Sequence, residues 1–239
     1  MVSRTRRIAH WAPPEALFVL SGISMYLGAA VAVHTFDDLG AVGVAWWRVF
    51  GAAVMLLVLR RSWRSGWSLR QLLLGGLFGT VLAGMNTSFY LAIDRLPLGT
   101  TVAIEFLGPV TVAALGSRTR RAWLALALAA AGVAVLADVQ MEASATGLLF
   151  ALGAAALWAG YIVLGARVAT EARDIDGLAI GMLLGAVVIA PIGLPSALGV
   201  VGAWWLLVPA LATALLSNVI PYGICLLYTS DAADDSVYV

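Results

Sequence analysis

Lysine is absent from this 239-residue chain, and all 14 of its basic residues are arginines. Charge of either sign is scarce: charged residues make up 11% against 62% hydrophobic, and the mean hydropathy is +0.97. Soluble domains carry about one quarter charged residues, so the composition excludes an ordinary soluble domain and points to a polytopic membrane protein. A net charge of +1 gives no electrostatic footing for nucleic acid. The single cysteine, Cys225, excludes an intramolecular disulfide and any thiolate metal cluster. Phosphate-binding loops, zinc-ligand spacings and nucleophiles with a base beside them are missing from the pattern, so neither a metal nor a cofactor is implied.

What is present is a series of apolar runs of about 20 residues, the length a helix needs to cross the hydrocarbon of a bilayer. Eight are expected, at 15–34, 41–59, 71–92, 98–116, 122–137, 147–167, 177–196 and 204–227, giving an all-α fold in contact with lipid. "RTRR" before the first run and Ala30-Val31-Ala32 within it have the form of a secretory signal. Seven further runs follow, and the segment reads as an uncleaved first helix. If the spans alternate, most arginines fall on one side, from Arg4, Arg6 and Arg7 to Arg167 and Arg173, while "TFDDLG" and "DVQMEASATG" fall on the other. The positive-inside bias then puts the N-terminus, residues 1–14, in the cytoplasm. Arg95 is expected to pair with Asp94 in an outer turn. Trp11, Trp63, Trp67, Trp123, Trp204 and Trp205 fall near the predicted interfaces, as an aromatic belt does.

Two charges lie inside spans. Arg48 and Glu105 each sit about seven residues from the outer end of their own run, so both start about 10 Å below the outer surface. They share a depth and have opposite sign, and an intramembrane charge ordinarily has a partner or a water-filled cavity to face. The reading is that Arg48 holds Glu105 at rest. A structural ion pair between two helices is the plainer alternative. Pro109 cannot donate to the Glu105 carbonyl four residues back, which frees an acceptor on that turn. Asn86, in "MNTSFY", lies at similar depth and reads equally well as interhelical glue or ligand contact. Tyr26, Tyr90 and Trp158 are residue types that more often pack than bind.

A faint repeat runs through the chain. "NTSFY" (Asn86 to Tyr90) and "NVIPY" (Asn218 to Tyr222) are offset by 132 residues, and Tyr26 and Tyr161, in "SMYLGA" and "AGYIVLGA", by 135. Five spans per unit is odd, so the second copy enters the membrane from the opposite side, as in the inverted repeats of many secondary transporters. The segments "FVLSGISMYLGAAVAV", "GVAWWRVFGAA", "YLAIDRLPLGTTVAIEFLGPVTVAALGSR" and "LWAGYIVLGARVA" resemble the EamA-domain family of drug/metabolite transporters, in its threonine and homoserine exporter branch. The likeness runs over about 15–224 and is most specific in "RLPLGTTVAIEFLGP". It implies a bacterial inner-membrane exporter of ten helices in two inverted five-helix repeats, the first at 15–137 and an incomplete second at 146–224. It also implies outward movement of small amino acids, with protons as the expected coupling ion.

The family pattern continues after "SNVIPYG" with an acidic residue, an Arg-Leu-Pro turn and two more helices, whereas this chain reads "ICLLYTSDAADDSVYV". "CLLYTSDAADD" matches the translation of a transposase-type sequencing adapter, whose constant sequence resumes after a short index with valine and a stop. Residues 225–239 are therefore expected to be adapter read-through rather than natural sequence.

The expected function is export of a small zwitterion by alternating access. Glu105 would face the ammonium group and Arg48 the carboxylate, with hydrogen bonds from Asn86 and Tyr26 and a wall from Trp158. Pro109, Pro191, Pro195 and Pro221 would supply helix breaks. A polytopic membrane enzyme is the rival reading, although His10 and His34 flank opposite ends of the first span. A structural membrane subunit is the third.

Overall fold

The computed structural model of the chain describes residues 14–64, 66–117, 119–141, 144–171 and 174–224. The tail at 225–239, with Cys225, lies outside the described residues, as do Trp11 and His10. The described backbone is helical. Helices α1 (Pro14–Val33), α2 (Phe36–Arg60) and α3 (Leu69–Ile93) are followed by a consecutive pair, α4 (Leu98–Glu105) and α5 (Leu107–Ser117). Then come α6 (Arg120–Met141), α7 (Ala145–Glu171), α8 (Asp174–Ala197), the single turn α9 (Gly199–Gly202) and α10 (Leu207–Ala214), which runs into a π-helical turn at Leu215–Val219. Six stretches among the described residues have the length and apolarity to cross a membrane: Phe36–Arg60, Leu69–Ile93, Leu98–Ser117, Ala145–Val168, Asp176–Gly202 and Trp204–Ile224. The other two expected spans fall on α1, whose apolar stretch Val19–Val33 is shorter, and on α6. The protein is an all-α polytopic membrane protein. Leucines and valines such as Leu73, Leu128, Leu149 and Val187 cover its outside, where a bilayer is the matching solvent.

Local chemistry sets the helix ends. Before α3, Ser68 Oγ accepts from Gln71 N at 3.2 Å and Gln71 Oε1 accepts from Ser68 N at 3.1 Å, a reciprocal box that satisfies two free amides. Helix α2 starts earlier than its apolar run because Phe36–Leu39 form a preliminary turn, set off by Gly40 at φ 64°. That left-handed conformation suits a residue without Cβ. After α2, Ser62 Oγ donates to Asp176 Oδ1 at 2.6 Å and Arg60 Nε lies 3.7 Å from the same oxygen, tying the arginine-rich turn to the start of α8. Arg95 and Asp94 pair at 3.0 Å on the surface, as expected.

At the centre α2, α3 and α8 pack together, with α7 against α3 and α10 against α1 and α2. Glycine makes the tightest contact possible. Gly75 and Gly79 of α3 face Gly181 and Gly185 of α8 so closely that a Cβ on Gly79 would overlap the Gly181 carbonyl, and one on Gly185 the Gly79 carbonyl. Lipid gives no hydrophobic force between helices, so such backbone approaches, four residues apart on each helix, are where dispersion holds the bundle. A pattern of matched contacts follows. Helix α3 meets α7 and α8 as α10 and its π turn meet α1 and α2.

A central polar cavity

Near the middle of the bundle lies a cavity of about 360 Å³, at the small end of the range of ligand pockets, about 300–1,000 Å³. Arg48, Glu105, Asn86, Tyr26 and Trp158 all line it, although they come from α2, α4, α3, α1 and α7. Each is brought there by its place on its helix. Arg48 is 5% exposed, Glu105 5% and Asn86 1%, in surroundings that are otherwise apolar.

The expected ion pair is not formed, and this corrects the sequence reading. No hydrogen bond or ion pair joins Arg48 to Glu105, because the guanidinium is engaged elsewhere. Its Nε donates to Asn218 Oδ1 at 3.2 Å, its Nη1 approaches the Tyr90 hydroxyl at 3.5 Å, and its Cζ lies 5.5 Å from the centre of the Tyr90 ring. Among the described residues no hydrogen bond reaches the Glu105 carboxylate and no cation lies within contact distance of it, so Arg48 acts on it only through space. Two further groups on the cavity are buried without partners: the Tyr26 hydroxyl and Asn86 Oδ1. The Asn86 Nδ2 donates back to Leu82 O at 2.8 Å. The cavity thus offers a cation, an anion, a hydroxyl and an amide oxygen, with capacity left at each.

Pro109 stands four residues after Glu105, whose carbonyl it cannot bond. Helix α4 stops at Glu105 and α5 restarts at Leu107, leaving Phe106 between them. Phe106 joins an aromatic row, with its ring centre 6.4 Å from that of Tyr26 and 5.3 Å from that of Trp158. Pro221 also lines the cavity, just beyond the π turn. Pro191 and Pro195 differ from expectation: both lie inside α8, which continues through them, and neither lines the cavity. Helix α2 braces the chain there, its Trp46 and Trp47 indoles donating to Ala186 O at 3.1 Å and Ala197 O at 3.0 Å.

Sequence reasoning missed Phe106 as a lining residue and Asn218 as the partner of Arg48. The signal for Asn218 was the repeat itself, since it matches Asn86. Tyr161 and Tyr222, which follow Tyr26 and Tyr90 by 135 and 132 residues, also line the cavity and their hydroxyls meet at 3.1 Å.

A helical bundle able to span a membrane, with a small internal cavity lined by both an arginine and a glutamate, defines a polytopic membrane protein with a candidate site for a small molecule. The chain is 35% identical over 227 residues to the threonine/homoserine exporter RhtA of Salmonella typhimurium (strain LT2), covering 94% of this chain and 76% of that protein. The same identity and coverage hold for the threonine/homoserine exporter RhtA of Escherichia coli (strain K12). The chain belongs to this family of exporters. No family profile and no solved structure matches it.

Proposed function

We propose that the protein is an inner-membrane secondary transporter that exports small amino acids of the threonine and homoserine kind by alternating access, with its N-terminus in the cytoplasm. The observation that carries this reading is the cavity that a buried arginine and a buried glutamate both line without a direct contact between their charges. A structural ion pair needs contact between its charges. A zwitterion needs them apart, with the Arg48 guanidinium taking the carboxylate and Glu105 the ammonium group. Asn86 Oδ1 supplies a further acceptor and the Tyr26 hydroxyl a donor, each otherwise buried without a bond, which costs about 1–3 kcal/mol per group. Trp158 and Phe106 would close the apolar side against the substrate's carbon chain. The relatives' printed activity supports the same substrate class.

Alternating access is supported by the doubled set Asn86/Asn218, Tyr26/Tyr161 and Tyr90/Tyr222, and by the matched contacts of α3 and α10. Together with the EamA-like motifs, they favour two inverted five-helix units hinged on either side of the cavity. Protons are the coupling ion in this reading, with Glu105 carrying the proton when no ammonium group is present.

The test is direct binding to the purified chain. Saturable binding of L-threonine or L-homoserine is expected, with much weaker competition from analogues blocked at the amino or the carboxyl group. Binding indifferent to either block would sink the zwitterion reading. Efflux from cells loaded with homoserine, abolished by collapsing the proton gradient, tests the coupling.

A further inference from the structure

Asn86 and Asn218 hold equivalent places in the repeated Asn-x-x-x-Tyr pattern and both line the cavity, yet their amides do different work. On the regular helix α3, Asn86 turns back to the Leu82 carbonyl one turn earlier, at 2.8 Å. Asn218 lies in the π turn Leu215–Val219, where the wider turn takes its side chain out of ordinary helical register. Its amide crosses to α2 instead. Oδ1 accepts from Arg48 Nε at 3.2 Å and Nδ2 donates to the Arg48 carbonyl at 3.2 Å, so both ends grip one residue. Exchanging the amide's oxygen and nitrogen would set donor against donor and acceptor against acceptor, which fixes its orientation. Tyr90 adds the contact at Nη1, and the Nη2 donors have no partner among the described residues.

We infer that Asn218 is a positioning residue, which holds the Arg48 guanidinium ready for a substrate carboxylate. An unrestrained arginine loses side-chain freedom when it binds an anion, and a restrained one has lost it beforehand. The π turn is what makes this clamp available, because an α-helical turn leaves Asn86 bonded to its own helix. The carboxylate end of the substrate is thereby read through a residue of the second repeat, while the reading arginine belongs to the first. The inference rests on the amino-acid reading of the cavity given above.

The experiment compares binding of L-threonine with that of L-threoninol, in which the carboxylate is replaced by a hydroxymethyl group, by calorimetry on the purified full chain and on Asn218→Ala and Asn218→Asp. Asn218→Ala is expected to weaken threonine binding about tenfold while threoninol changes by less than about twofold. Asn218→Asp supplies a carboxylate that competes for Arg48, and the preference for threonine over threoninol is expected to fall further. Equal loss of both ligands in both variants identifies Asn218 as packing and overturns the proposal, as does an unchanged preference. A wild-type chain that prefers neither ligand overturns the amino-acid reading itself, and this inference with it.

Discussion

Glu105 is a buried carboxylate whose nearest opposite charge is already held by Asn218 and Tyr90. Removing its charge therefore breaks no ion pair. Glu105→Gln is expected to leave thermal unfolding of the purified protein unchanged or slightly raised, since a buried charge costs several kcal/mol unless paired. Threonine binding should meanwhile fall by about tenfold or more, the usual weight of a charge-assisted contact. A loss of stability above about 3 kcal/mol would identify Glu105 as half of a structural pair. Arg48→Ala is expected to behave differently, because it strips Asn218 Oδ1 of its donor. It should cost about 1–3 kcal/mol of stability in addition to carboxylate binding. The two variants read together separate a group that waits for ligand from one that also holds the fold.

Two elements shape the cavity by what they omit. Between α4 and α5 the helix is loosened rather than broken. Phe106 keeps helical dihedral angles, and the bonds from Phe106 N to Val102 O and from Val110 N to Phe106 O persist, while residue 109 has no amide hydrogen to give the Glu105 carbonyl. Pro109→Ala restores that donor. It is expected to tighten the helix at Phe106, shift Glu105 and Phe106 from their present places, and weaken threonine binding with no loss of unfolding temperature. Wild-type affinity in this variant would show that the loosening is incidental. The contact between α3 and α8 depends on missing Cβ atoms. Gly79→Ala would drive a methyl group into the Gly181 carbonyl, and separating the helices should cost about 1–3 kcal/mol or more in thermal unfolding. Gly84, on the same helix, is the control: its added Cβ would meet Leu157 at an ordinary 3.5 Å. Gly84→Ala should be neutral or gain up to about 1 kcal/mol from helix propensity. Equal effects at both positions would remove the argument for close approach.

At the scale of the whole molecule, the arginine-rich turn after α2 and the short turn before α4 are expected on opposite faces of the membrane. Gly66 and Gly99 are exposed, and an added side chain at either meets open space, so both accept a probe. In a Cys225→Ser background, Gly99→Cys is expected to react with a membrane-impermeant maleimide in intact cells. Gly66→Cys should react only after the cells are opened. Labelling of both from outside would break the alternation of spans on which the inverted repeat depends.

The membrane class, the helical spans and the pair of intramembrane charges were legible from sequence because hydropathy and depth are one-dimensional. Position along a helix gives distance from the membrane surface, and Arg48, Glu105 and Asn86 do meet in one cavity. The unbonded carbonyl of Glu105 was legible too, since a missing amide hydrogen is a property of Pro109 alone. Depth does not give rotation about the helix axis, and there the sequence reading paired the wrong groups. Arg48 and Glu105 share a level, yet the π turn brings Asn218 to the guanidinium first. Nor does the spacing of Gly75, Gly79, Gly181 and Gly185 say which helices will touch, or that Pro191 and Pro195 will stay inside an unbroken α8. Partner choice depends on the packing of all the helices at once. Tertiary structure alone left the two charges out of contact on one small cavity, because it supplied Arg48 with neutral partners and Glu105 with no hydrogen bond among the described residues.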